Sequence, residues 1–347
     1  MKCPDCLTNH GRKFGMTCRC GYTFLLEPHV RPRVSDNLFH SAMRLASGRN
    51  TLHYTETQLY SALCQLKDKK GRKTRRDGYL TYGIIFVLAL IVIALDRSLF
   101  QHLPLFFLFF LVLSLLTGII CLSSRSLPSY PDFCKILSKW RQHDRPLPGL
   151  ITTRALSKAP PPWQEEDIHA YGVQKVLFCD REELVDLLVL NGFHTSNGCL
   201  IVTPAGYPEH LQSETRRALT SEPPCHLFLL HDGIPSFAEK ALSQLPADCS
   251  AKVLDLGLAA KSTRRAPWLG RLSQKGAPLR PDLLLYPRLS SLLTCAMNEW
   301  LTLQALENQQ QRQSYRETNG TNLVLILEEE RWTLDWSHGG DDEGDGE

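Results

Sequence analysis

Two apolar runs, at 79–95 and 103–122, constrain this chain more than any other feature. The first reads YLTYGIIFVLALIVIAL and the second LPLFFLFFLVLSLLTGIICL, with no charged side chain in either. Each has about the length that crosses a hydrocarbon core. Only 96–102 separates them, room for a tight turn. The pattern therefore predicts a transmembrane helical hairpin over 78–122, each helix satisfying its own backbone amides. Buried helices of a water-soluble core normally keep a polar face, and these two runs have none.

Charge then sets an orientation. Seven of the ten residues from Lys67 to Arg76 are basic, whereas the turn between the runs carries only Arg97. Arg125, Lys135, Lys139 and Arg141 follow the second run. The excess of positive charge outside the hairpin predicts an integral protein of the plasma (inner) membrane with both termini cytoplasmic. The same basic run is expected to meet anionic headgroups, making the membrane a partner.

Twelve cysteines fall into two sets. Eight are scattered singly, several within apolar runs, as small buried hydrophobes are. Cys3 and Cys6, then Cys18 and Cys20, form two close pairs near the N-terminus. Two such knuckles can converge on one ion with four thiolates, the donor set zinc prefers. The segment 1–27 resembles a zinc ribbon, although its second pair is C-x-C where ribbons have C-x-x-C. Two disulfides or a redox pair are the alternatives. A segment this short has little core, so bound metal would supply much of its folding free energy.

Between these features, 28–77 reads as a helical stalk or a small winged-helix-like segment. Leu38, Ala42 and Leu45 share one helical face after Ser35 and Asp36, and Leu59, Ala62, Leu63 and Leu66 share another. The stretch 123–172 reads as a juxtamembrane segment and a proline-rich linker. From Val173 short apolar runs alternate with helical periodicity. Runs at 175–179, 199–202, 226–230 and 252–256 read as strands, with helices over 181–190, 209–219 and 236–245. Alternation of this kind implies a parallel α/β sheet with helices on both faces, and ligands outside the carboxyl ends of its strands. The expected fold class is thus a multidomain α/β membrane protein.

The residues at those strand ends carry a resemblance. Asp180 follows the first strand, Ala205-Gly206-Tyr207-Pro208 the second, Asp232-Gly233-Ile234-Pro235 the third and Leu256-Gly257 the fourth. This order resembles the Toprim domain of the DNA topoisomerase VI A subunit and the meiotic double-strand-break transesterase, over about a quarter of the chain. The resemblance implies a Toprim-like Rossmannoid domain at 173–288 whose clustered carboxylates would hold Mg²⁺ against a phosphodiester. It also marks two departures. Asp180 stands where the family has glutamate, and Ile234 stands where the family has the second aspartate of its D-x-D pair. Isoleucine cannot ligate a hard cation.

Asp180, Glu183 and Asp232 are therefore candidates for an altered catalytic set, and Gly206, Tyr207, His231 and Gly233 for ligand contacts. The bland alternative is that Asp180 and Asp232 cap helices or receive loop amides. A C-terminal helix and hairpin are expected over 289–338 and an acidic disordered tail over 339–347. With 43% hydrophobic residues, 22% charged and a net charge of +3, composition excludes a wholly disordered chain and gives no global pull toward nucleic acid. The function expected is a membrane-anchored adaptor, sensor or complex subunit with protein partners. It would carry zinc and a catalytically degenerate Toprim-like domain, with nucleic acid or nucleotide among the ligands. The alternative is an active Mg²⁺-dependent nuclease or transesterase acting on DNA.

Overall fold

The computed structural model describes residues 1–28, 30–69, 83, 127–152, 154–159, 173–232, 235–256 and 280–305. The chain divides into two compact units, Met1–Leu45 with Ala62–Leu147, and Ala46–Ser61 with Pro148–Glu347.

In the first unit the cysteine knuckles precede helix α1, Asp36–Ala46. The Ser35 hydroxyl caps this helix by accepting from the Leu38 amide at 3.3 Å. Phe39, Ala42, Met43 and Ala46 are buried, a spacing of three and four that lines one face. Helix α2 runs over residues 56–69, and its part from Ala62 onward belongs to this unit. Helix α3, Tyr130–Gln142, has Ser129 as its cap, Pro131 in its first turn, and Lys139 and Arg141 in its last. Its buried stripe is Phe133, Ile136, Leu137 and Trp140. Phe39 of α1 meets Trp140 with ring centroids 4.7 Å apart. This helix lies within 123–172, the stretch that the sequence pattern offers as a juxtamembrane segment and linker.

The second unit is built on a parallel sheet. Its strands are β1 Lys175–Cys179, β2 Cys199–Val202, β3 His226–Leu230 and β4 Lys252–Asp255. They lie in the order β2-β1-β3-β4, every pairing parallel. Between them come α4 Glu182–Leu190, α5 Phe193–Asn197, α6 Gln212–Leu219 and α7 Pro235–Ser243, and α8 Tyr286–Ala305 follows. β1, β2 and β3 are apolar and almost wholly buried, as strands covered on both faces must be. Val176, Phe178, Leu200, Val202, Leu227 and Leu229 form one core face with Ala218, Leu219 and Ala241 of α6 and α7. The alternate residues point the other way, where α4 packs on β1 and β2 and α8 contacts α4.

The strand order reverses between β1 and β3. That is the switch point outside which ligands of open α/β sheets bind.

The membrane expectation is corrected. Among the described residues no helix is long and apolar enough to cross a membrane. The longest described helix, α8, has 20 residues but carries Arg288 and several polar side chains in its sequence. The apolar runs at 79–95 and 103–122 lie outside the described residues apart from Gly83. An integral membrane architecture, a plasma-membrane location with cytoplasmic termini and the membrane as a partner thus give way to α/β alone. Of the helix and hairpin expected over 289–338, the part up to 305 falls in α8, and the remainder lies outside the described residues with the acidic tail.

Candidate metal centre and the carboxyl ends of the sheet

Cys3, Cys6, Cys18 and Cys20 have their sulfurs all within 4.8 Å of one another. Two short turns bring them there. In the first, the Leu7 amide donates to the Cys3 carbonyl at 3.1 Å and the Cys3 amide to Thr8 at 3.0 Å. In the second, the Gly21 amide donates to the Cys18 carbonyl at 3.0 Å and the Cys18 amide to Tyr22 at 2.8 Å. Gly21 sits at φ +93°, a conformation glycine adopts without strain. Cys3 and Cys18 are buried, while Cys6 and Cys20 are exposed. Four sulfurs in one sphere can hold a metal ion.

The electrostatics fit that role. Hydrogen bonds from the Thr8 hydroxyl and backbone draw the Cys6 thiol down to about 6. Cys20 is drawn down by the Tyr22 backbone, but desolvation and the three neighbouring thiols outweigh this and push it up to about 12. Crowded thiolates cannot all ionise unless a cation replaces their protons. Thr8 Oγ1 lies 3.0 Å from the Cys6 sulfur, a partner of the kind that orients metal ligands.

Behind the knuckles the chain is fastened by a residue the sequence reading took only as part of a helix cap. Fully buried Asp36 accepts from the Tyr22 hydroxyl at 2.8 Å and from the amides of Leu25 and Leu26 at 2.9 and 2.7 Å. The Arg145 guanidinium lies 4.6 Å over the Tyr22 ring and donates to the Thr23 carbonyl at 2.9 Å. Lys139 of α3 donates to the Leu25 carbonyl at 2.6 Å.

At the sheet, Asp180 and Asp232 do come together. The Asp232 amide donates to Asp180 Oδ2 at 3.2 Å, and Arg181 Nε donates to Asp180 Oδ1 at 3.1 Å. Arg181 also reaches Asp282 Oδ1 at 3.3 Å. Asp282, fully buried, accepts from Arg280 Nε and Nη2 at 3.2 and 3.0 Å and from the Thr55 hydroxyl at 3.4 Å. Arg280 Nη2 lies 3.6 Å from Glu183. Burial raises the pKa of Asp180, and the Arg181 charge opposes the rise. Two guanidinium groups thus stand against the carboxylates that the sequence offered as a cation site. Among the described residues, the cysteines are the one His/Cys/Asp/Glu group gathered closely enough to hold a metal ion.

The other candidates are occupied in structural ways. His231, 3% exposed, pairs its Nε2 with Asp255 Oδ1 at 2.8 Å and packs its ring on Phe237. Gly206 takes φ +88° in the turn after β2, where a Cβ would collide with the Gln212 side-chain amide. The Tyr207 hydroxyl donates to Asp186 at 2.5 Å and accepts from the Leu156 amide at 2.8 Å. Asp186 also accepts from the Ala155 amide at 2.9 Å, and Arg154 makes a two-pronged pair with Glu182 at 2.9 and 3.0 Å. Tyr207, with Asp186 and Glu182, therefore fastens 154–156 onto α4. Gly233 and Ile234 lie outside the described residues.

The sequence reading missed the partners Arg181, Asp186, Arg280 and Asp282. Arg181 and Asp186 lay in a stretch read only as a helix. Nothing in sequence spacing links Asp282 to a strand end a hundred residues earlier. No family model, no curated protein and no solved structure matches the chain, so neither the topoisomerase VI A resemblance nor any protein or nucleic-acid partner gains support from a relative.

Proposed function

We propose that the chain is a non-catalytic zinc-bearing sensor or adaptor, in which a Toprim-like α/β domain has lost its metal chemistry and serves as a folded platform. Zinc is the ion this reading assigns to the cysteines, since four thiolates in a compact cluster suit tetrahedral Zn²⁺ better than hard cations. Such a site closes all four positions with protein sulfur, which leaves none for substrate. The observation that carries the non-catalytic reading is the pair Arg181 and Arg280, whose positive charges sit against Asp180, Glu183 and Asp282. A divalent ion entering there would have to displace them against like charge.

The test uses the full chain. Purified protein is expected to contain one zinc by elemental analysis, and to leave supercoiled plasmid DNA intact in millimolar Mg²⁺ or Mn²⁺. Nicking that disappears in Asp232→Ala would instead establish a working metal-dependent nuclease.

A further inference from the structure

We propose that the cysteine cluster is a peroxide-reactive modification site, in which the exposed sulfurs of Cys6 and Cys20 are oxidised and the buried Cys18 and Cys3 resolve them. The products are the disulfides Cys3–Cys20 and Cys6–Cys18. The proposal rests on the zinc reading for one of its readouts and on sulfur geometry for its pairing.

The four sulfurs can pair in three ways. Cys3 with Cys20 and Cys6 with Cys18 stand at 3.6 Å in both cases, and each pair joins one knuckle to the other. Closing either to a disulfide requires a contraction of about 1.5 Å, small beside the motion of a cysteine side chain. Each pair also contains one exposed and one buried thiol. The exposed member is where an oxidant of solvent size arrives, and the buried member lies in contact behind it. Pairing Cys3 with Cys18 and Cys6 with Cys20 lacks this property, because its first bridge would join two buried sulfurs.

The chemistry balances with hydrogen peroxide as oxidant. The Cys6 thiolate attacks one peroxide oxygen, an S–O bond forms, the O–O bond breaks and hydroxide leaves. The Cys18 thiolate then attacks the sulfenic sulfur, the S–S bond forms, the S–O bond breaks and a second hydroxide leaves. Cys20 and Cys3 repeat the sequence with a second peroxide. Four thiolates are oxidised, two peroxides become four hydroxides, and the metal ion loses its donors.

The unit has a reason to survive this. Asp36, Arg145 and Lys139 hold the strip 22–26 through bonds that do not involve sulfur. Oxidation would then rearrange the knuckles while the strip and helices behind them stay in place, which is the behaviour a sensor needs.

Full-length protein, purified without oxygen and analysed for zinc, is treated with excess hydrogen peroxide, followed with a chromogenic zinc chelator and digested without reduction. One zinc released for two peroxides consumed, with Cys3–Cys20 and Cys6–Cys18 peptides and recovery of the thiols by dithiothreitol, is the expected result. Retention of zinc with four reduced thiols overturns the proposal. So do disulfides confined to Cys3–Cys6 and Cys18–Cys20. A preparation without zinc that still forms the two cross-knuckle bridges removes the zinc reading and leaves the thiol pairing standing. Cys6→Ser is expected to keep only the Cys3–Cys20 bridge and Cys20→Ser only Cys6–Cys18. Mapping on the unaltered chain decides the matter if either variant misfolds.

Discussion

Tyr54 shows how a single residue can cost stability in a well-packed place. It is fully buried, its backbone exchanges hydrogen bonds with Gly149 and Ile151 at 2.9 Å, and its hydroxyl has no hydrogen-bond partner among the described residues. Burial without compensation raises its pKa to about 12. An unsatisfied buried hydroxyl carries its desolvation penalty in the folded state alone. Tyr54→Phe is therefore expected to stabilise the protein by about 1 kcal/mol, read as a higher urea midpoint at unchanged slope. A lower midpoint would mean that the hydroxyl has a partner. At this scale the sequence was least legible. Spacing placed the four cysteines in one cluster because knuckle turns are local. Asp36 and Asp282 escaped notice because their partners come from distant stretches, where spacing carries no information.

At the level of elements, the segment 280–284 is fastened to the start of α4 by charge. Asp282 lies at the centre, taking hydrogen bonds from Arg181, Arg280 and Thr55. Removing a buried carboxylate leaves the two arginines only Asp180 and Glu183 as carboxylate partners, and breaking pairs of this kind is costly. Asp282→Ala is expected to lower stability by about 2–3 kcal/mol, somewhat below the range for wholly buried pairs because both arginines keep partial solvent access. Asp282→Asn, which keeps the shape and part of the bonding, is expected to cost less in the same urea titration. Equal losses would assign the effect to packing.

The elements themselves were the most legible part. The four apolar runs read as strands start where the strands start; in β1, β2 and β3 near-continuous burial leaves the apolar signature, whereas β4 is mostly exposed. Face assignments were harder. The reading put Leu38, Ala42 and Leu45 inward on α1, while the buried stripe is Phe39, Ala42, Met43 and Ala46. A small amphipathic helix offers two overlapping apolar stripes, and packing against Trp140 selects between them. Helix α3 was missed although it carries a serine cap, an early proline and a clear stripe, because its basic residues were read only as flanks of a membrane span.

For the molecule as a whole, two compact units imply two sources of stability. The knuckles have Cys3, Cys18, Tyr22 and Phe24 as a small core, whereas the sheet has its own larger core of buried strand and helix residues. Metal removal should therefore act on one unit only. Calorimetry of the full chain is expected to show two transitions. A strong zinc chelator should lower or abolish one and leave the other within about 1 °C, because no described residue of the sheet gathers a metal-binding group. A uniform shift of both transitions would contradict that division.

The order β2-β1-β3-β4 has a further consequence for how the polypeptide is made. β1 sits inside the sheet, yet its second neighbour, β3, emerges from the ribosome only after β2 and α6 have been synthesised. Until Leu230 has left the exit tunnel, β1 keeps one flank of bare amides and carbonyls beside an apolar surface. That is the interval in which a nascent chain is most prone to stick to another and most in need of a chaperone.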